Sequence, residues 1–318
     1  METLLAKLHR LRPLIGQTPL VSLPHTKLNL YCKLEYYNLS GSIKDRVAIH
    51  ALEKAIGSGR VTQDSTIVES SSGNLASSLA QICHALSLNF IPVVDPNINK
   101  PYLQLLQNYC PEVEMVTERD DTGGFLKTRL RKVEEILCSR PNTFWINQYG
   151  NPDCAEAHYF GTGAEIIDHL PHLDYVFIGV STGGTLAGVS RKIKEVSPQT
   201  NIIAVDVEGS VIFGSAAKKR FIPGLGSSIV PPLISTCQVD EVIHIREQDT
   251  ITGCQELARL GIFAGGSSGT VYFAINKYFE NAILTSMPTV LFLCPDRGTA
   301  YLETVYNEDW TKKIIALS

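Results

Sequence analysis

An α/β fold of parallel sheets covered by helices on both faces is what the sequence predicts, and two observations carry the prediction. Short, nearly continuous apolar runs alternate with stretches of helical periodicity, and the loops leading from run to helix are rich in glycine and serine. Strands buried on both faces read as unbroken apolar runs, and parallel neighbours need a crossover, usually helical, between them.

The elements follow in order. "METLLAKLHRLRPLIG" sets leucines at helical spacing among charges, which predicts an amphipathic first helix and lacks the apolar core of a signal peptide. "YYNLSGSIKDRVAIHAL" (36 to 52) puts a turn-prone opening ahead of an apolar-periodic helix, with Lys44 at the junction. Strands are predicted at "STIVES" (65 to 70), "FIPVVD" (90 to 95), "VEMVT" (113 to 117), "FWINQ" (144 to 148), "YVFIGVS" (175 to 181), "IIAVDVE" (202 to 208) and "TVLFLCP" (289 to 295). Between them, "NLASSLAQICHAL", "GFLKTRLRKVEEIL", "GTLAGVSRKIKEV" and "SGTVYFAINKYFE" carry helical spacing. The best candidate for a domain boundary falls near residue 149, and no internal repeat or low-complexity linker is visible.

Composition narrows the function. The 318 residues are 44% hydrophobic and 19% charged with a net charge of -4, which suits about two compact units. The cationic run "KKR" (218 to 220) is too short for a nucleic-acid footprint, and charges break every apolar stretch well short of a membrane span. Eight cysteines without a C-x-x-C pair predict reduced thiols in cytoplasm. The eight histidines show no metal-ligand spacing, so no metal is expected.

Ligands of parallel α/β sheets gather outside the carboxyl ends of the strands, so the loops there are candidates for chemistry. "ESSSGNLAS" (69 to 77) offers hydroxyls, backbone N–H groups and the Asn74 amide at a helix start, though a serine-rich helix cap reads the same way. "VSTGGTLAG" (180 to 188) turns through Gly183 and Gly184, which let backbone approach a phosphate, with Thr182 and Thr185 adding hydroxyls. "FAGGSSGT" (263 to 270) is a third glycine-rich helix start. Nucleotide fingerprints of the G-x-G-x-x-G or G-x-x-x-x-G-K-[ST] kind are absent. "GVSTG" and "GGSSG" both match the nucleophile elbow G-x-S-x-G, but no histidine follows Ser267. After Ser181 only His244 follows, inside an apolar alternation, with Asp206 or Asp240 before it, so a hydrolase is the minor reading. Read with Lys44, the three loops make a different set. A lysine amine can join a carbonyl cofactor such as pyridoxal phosphate, which also needs a phosphate cup and partners for its ring oxygen and nitrogen.

On these motifs the sequence resembles the cysteine synthase and cystathionine β-synthase family of pyridoxal-phosphate enzymes. The resemblance runs through "IGQTPLV", "LSGSIKDR", "ESSSGNLA", "NQYGNP", "STGGTLAG", "GIFAGGSSG" and "CPDRGTAYL". Within the family, "KLEY", "SGNL", "VVDP", Gly123, Gly124, Leu126, Thr128 and Arg129, "INQY" and "GSVIFG" are most similar to the N-(2-amino-2-carboxyethyl)-L-glutamate synthase branch, which begins 2,3-diaminopropionate formation for siderophores and peptide natural products. The resemblance implies the two-domain fold type II of such enzymes, tryptophan synthase β-like. A smaller mobile domain (40 to 148) would close over a cofactor held by residues 1 to 39 and 149 to 318, in a homodimer. Lys44 would carry the cofactor, Asn74 would contact its ring oxygen, and Ser181, Thr182, Gly183, Gly184 and Thr185 would cradle its phosphate. Ser71, Ser72 and Gln148 would hold the substrate carboxylate, Arg129 the leaving phosphate or another substrate anion, and Tyr149 with Ser181 a second substrate. Cysteine synthases have threonine where this chain has Leu75, so one hydroxyl contact is missing. They set a serine against the pyridine nitrogen where this chain has Arg297, which cannot accept a hydrogen bond, so that role passes to Ser267. The implied reaction is β-replacement on O-phospho-L-serine with L-glutamate as nucleophile. The alternatives are cysteine synthase chemistry on O-acetylserine or O-phosphoserine with sulfide, and a catalytically idle regulator.

Overall fold

The computed structural model describes residues 2–317. Its strands are β1 (Leu20–Leu23), β2 (Asn29–Leu34), β3 (Thr66–Ser70), β4 (Asn89–Val94), β5 (Glu114–Met115), β6 (Thr143–Trp145), β7 (Tyr175–Gly179), β8 (Asn201–Val207), β9 (Glu241–Ile245) and β10 (Thr289–Cys294). They form a six-stranded sheet in the order β1-β2-β10-β7-β8-β9 and a four-stranded sheet in the order β5-β4-β3-β6. Every pairing is parallel except β1 with β2. The helices are α1 (Leu4–Leu11), α2 (Lys44–Gly57), α3 (Asn74–Leu86), α4 (Lys100–Tyr109), α5 (Leu126–Ser139), α6 (Pro152–Ala157), α7 (Ala164–His169), α8 (Gly184–Val196), α9 (Glu247–Arg259), α10 (Gly266–Phe279) and α11 (Glu308–Leu317).

The larger sheet shows why its strands read as continuous apolar runs. Along β10, Val290, Phe292 and Cys294 enter the core on one face, and Leu291 and Leu293 enter the core on the other. The pleat sends successive side chains to opposite faces, and both faces are covered. Helix α10 packs Val271 and Ile275 against Phe177 and Phe292, while α8 packs Leu186, Val189 and Ile193 against Val176 and Ile178 on the opposite face. Full burial of a phenylalanine such as Phe292 contributes about 1.5–3 kcal/mol.

Helix α2 joins the two sheets' cores. Val47, Ala51 and Leu52 pack with Leu8, Leu75 and Leu79 beside the smaller sheet, whereas Ile43, immediately before the helix, enters the core of the larger one. Leu75 is a core residue at 1% exposure, which explains the hydrophobe after Asn74.

The structure corrects several sequence expectations. The antiparallel pair β1–β2 was not among the expected strands. Its signal is weakened by Lys33, fully buried inside β2 and paired with Glu165 at 2.8 Å. The run 144 to 148 ends as a strand at Trp145, because Asn147 turns to φ +56 and carries Gln148 into a loop. The run 113 to 117 yields only Glu114–Met115. Among the described residues, no helix is long and apolar enough to cross a membrane, and no cluster of histidine, cysteine and carboxylate is placed to hold a metal. All eight cysteines are free.

Candidate active site

The carboxyl ends of β7 and β10, the starts of α2, α3, α8 and α10, and the loop around Gly224 and Leu225 line a cavity that is partly open to solvent. Seven of the expected residues stand in its wall: Lys44, Asn74, Ser181, Thr182, Gly183, Thr185 and Ser267. Gly184 lies behind the turn, where an added Cβ would come 3.3 Å from the Cys154 carbonyl oxygen.

Lys44 is the first residue of α2, held there by the Ile43 N–H donating to the Pro295 carbonyl at 2.8 Å. Its Nζ is 3.4 Å from Thr182 Oγ1. Burial pushes the amine below the usual lysine range, opposed by the charges of Cys154, Glu69 and Asp296. Desolvation disfavours the ammonium, so more of the nucleophilic free amine is present at neutral pH. Two residues on, Arg46 donates to Glu35 and Glu165 at 2.6 Å each, and Lys33 shares Glu165. Burial pushes Glu165 up, but Arg46 and Lys33 outweigh it and hold its carboxyl at about 2. This closed set of two cations and two anions ties the start of α2 to β2 and α7.

The turn after β7 needs its glycine. Gly183 sits at φ +89, and a Cβ there would meet Ile234 at 3.0 Å. The turn opens α8, whose first N–H groups have no intrahelical partner. Thr185 Oγ1 lies 3.2 Å from His158 Nε2, and His158 Nδ1 lies 3.0 Å from Thr162 Oγ1. Burial pushes His158 well below its ordinary value, helped by the Lys44, Arg46 and His50 charges, so the ring is neutral and holds the threonine hydroxyl in place. Ser181 donates its hydroxyl to the Gly226 carbonyl at 3.1 Å and so anchors the loop over the cavity.

The remaining expected residues gather on the side of the smaller sheet, outside the cavity wall. Ser71 Oγ accepts from the Ala76 N–H at 3.3 Å. Ser72 Oγ donates to Asp95 at 2.9 Å and accepts from Arg129 Nη1 at 3.1 Å, while Arg129 Nε is 3.3 Å from Asp95. Arg129 is therefore already charge-paired. Gln148 donates through Nε2 to the Ser70 carbonyl at 3.1 Å. The Tyr149 phenol is pushed up by burial and lies in the combined field of Arg129, Glu69, Arg220 and Asp95.

Arg297 turns away from the cavity and lays its guanidinium over the rings of Tyr36 and Tyr37, at 5.1 and 5.7 Å. The neighbouring Asp296 faces the cavity instead. Sequence reasoning missed Asp296, Glu69, Asp95 and His158. Glu69 is fully buried, and burial pushes it up to about 7 against hydrogen bonds from the Gln148 and Ser70 N–H groups and Trp145. Its signal was a carboxylate near the end of an otherwise apolar strand, a costly position unless its hydrogen bonds are supplied.

Comparison with known proteins places this geometry in context. A sequence profile for the family described as "Pyridoxal-phosphate dependent enzyme" matches residues 11–296. An N-(2-amino-2-carboxyethyl)-L-glutamate synthase of Ralstonia nicotianae is 43% identical over 308 residues, covering 95% of this chain and 90% of the relative. The protein of that name in Cupriavidus metallidurans is 43% identical over 309 residues, covering 95% and 91%. Among solved structures, the O-acetylserine dependent cystathionine β-synthase of Helicobacter pylori superposes with a TM-score of 0.86 at 28% identity, over 93% of this chain and 98% of that one. A hydrogen sulfide-producing enzyme of Fusobacterium nucleatum gives 0.85 at 28%, over 92% and 99%.

Proposed function

The chain belongs to the family of pyridoxal-phosphate dependent enzymes, and we propose that it catalyses β-replacement on O-phospho-L-serine with L-glutamate, giving N-(2-amino-2-carboxyethyl)-L-glutamate and phosphate. The single observation that carries the site is the convergence of Lys44, Asn74 and the Ser181–Thr185 turn on one cavity. The residues present fit the cofactor. A positive-φ glycine with little room for a Cβ stands beside the open N–H groups of α8, where an anion is stabilised, and a lysine amine with a lowered pKa faces the turn.

When bound, pyridoxal phosphate supplies an electron sink conjugated to the substrate's α-carbon. Lys44 would hold it covalently, and its Nζ would serve as the base for the α-proton. Thr182, Thr185 and the turn N–H groups would hold the phosphate, with neutral His158 fixing the Thr185 hydroxyl. Ser71, Ser72 and Gln148 would orient the substrate carboxylate, and Arg129 the leaving anion. Tyr149 and Ser181 would recognise the second substrate. Ser267 would face the ring nitrogen. The segment 40 to 148 would move as a unit to exclude water, and the enzyme would work as a cytoplasmic homodimer supplying a 2,3-diaminopropionate precursor for siderophore assembly.

The reading is tested by offering glutamate and sulfide together with phosphoserine and identifying the products by mass spectrometry. The glutamate adduct should dominate, whereas cysteine alone would establish the second reading. That alternative draws support from the likeness to an O-acetylserine dependent enzyme, whose donor is one that the alternative names. No turnover of either kind would favour an idle regulator.

A further inference from the structure

The Asn74 amide is held from both ends. Tyr102 on α4 donates its hydroxyl to Asn74 Oδ1 at 2.5 Å, and Asn74 Nδ2 donates to Asp296 Oδ2 at 2.7 Å. Asp296 also accepts from the Tyr301 hydroxyl at 2.9 Å on that same oxygen. It is 3% exposed and lines the cavity beside Lys44. Its other oxygen, Oδ1, is buried without a hydrogen-bond partner and lies against Gly265, where an added Cβ would be 1.9 Å from it.

An asparagine amide can present either its oxygen or its N–H groups in nearly the same volume, and its neighbours decide which. Here a phenol donates to the oxygen and a carboxylate takes one of the two amide hydrogens. Reversing the amide would put its oxygen against the Asp296 carboxylate, two acceptors at hydrogen-bond distance, and would give the phenol hydrogen no acceptor. One amide hydrogen is left over at the cavity wall.

We infer that Asp296 is a positioning residue for Asn74, locking its amide so that a donor, never an acceptor, faces the ring oxygen of the cofactor. This rests on the proposed cofactor site. A ring oxygen that is anionic when the cofactor is bound needs a donor there, and a mixed population of amide orientations would waste part of that contact. The same bond joins the unit built on the smaller sheet, which carries Asn74 and Tyr102, to the unit that carries Asp296 and Tyr301. A second bond, from Asn99 Nδ2 to the Ala300 carbonyl at 2.8 Å, runs alongside it.

The test uses apoprotein titrated with pyridoxal phosphate, read by the dissociation constant and by the position of the visible absorption band. Asp296→Ala should bind about tenfold more weakly, the order expected for losing one fixed hydrogen bond, with a displaced band. Asp296→Asn keeps an acceptor and should restore both readouts to near parental values. Tyr102→Phe releases the other end of the amide and should displace the band in the same direction. Thermal melting of each apoprotein separates a loss of fold from a loss of orientation. Parental affinity and band in Asp296→Ala would overturn the inference, as would equal damage from Asp296→Ala and Asp296→Asn in proteins that melt like the parent. If the parent itself takes up no cofactor while Asp296 variants melt as it does, the cofactor reading has failed, and the inference falls with it for a reason the titration identifies.

Discussion

At the scale of single residues, the buried Lys44 amine stands in the field of two carboxylates, Glu69 and Asp296. Burial disfavours the charge of Lys44, and Cys154, Glu69 and Asp296 oppose the effect. If Lys44 carries the cofactor, borohydride reduction followed by peptide mapping should place the pyridoxyl group on Lys44, and Lys44→Ala should lose the visible band. A pyridoxyl group on another lysine would refute the assignment. Glu69 gives a pH prediction whose sign follows from linkage. Its carboxyl titrates near 7 in the folded protein against the ordinary value of 4.5, so the native state holds the proton more tightly than the unfolded chain. Stability from this group is present below about 4.5 and is lost as pH rises to about 7. The melting temperature should therefore fall across that window, and Glu69→Gln should fall less steeply. Equal slopes in parent and variant would show that another buried acid dominates.

Whole elements are aimed by groups that make no contact with the reacting atoms. The first turn of α2 owes its position to Arg46, 4% exposed between Glu35 and Glu165. Removing the cation leaves two buried carboxylates with Lys33, paired to Glu165, as the remaining partner of the set. Arg46→Met should cost about 3–5 kcal/mol, the usual penalty for breaking a buried pair from one side. Chemical denaturation would measure it, and a loss below 1 kcal/mol would show that the remaining Lys33 is counter-ion enough. Helix α8 is fixed as firmly by what it lacks. A Cβ at Gly188 would lie 2.2 Å from the Ala155 carbonyl oxygen, so α6 approaches within backbone contact. Gly188→Ala should force these helices apart at a cost of about 1–3 kcal/mol and weaken cofactor retention if the turn that opens α8 holds the phosphate as proposed. Unchanged melting and cofactor retention would contradict that close packing.

Across the whole molecule, the proposed substrate groups come from segments beside both sheets. Arg129 lies on the side of the smaller sheet and is paired with Asp95, so a substrate anion bound there, as proposed, would compete with a resident carboxylate. A planar guanidinium meets phosphate better than acetate, and Arg129→Ala should weaken use of phosphoserine more than acetylserine. Equal losses in kcat/KM for both donors would remove that role. Tyr149 and Ser181 lie on loops of different sheets. The pair Tyr149→Phe with Ser181→Gly should leave phosphate release from phosphoserine largely intact while impairing glutamate addition. Parental glutamate use by the double variant would dismiss the pair as selectivity groups. The alternating apolar runs determined by themselves the parallel sheets and their covering helices, because strands with two buried faces have no polar alternation to confuse. Lys44, Asn74 and the "STGGT" turn were also legible, since a lysine at a helix start and glycines in a strand-to-helix turn are local chemical features. The antiparallel β1–β2 edge, the neutral His158 behind Thr185, the pairing of Arg129 with Asp95 and the choice of Asp296 over Arg297 at the cavity were decided only in three dimensions. Each depends on a partner distant in sequence, or on which way a backbone turns, and burial and hydrogen bonding reward such pairings only once the chain has brought the partners together.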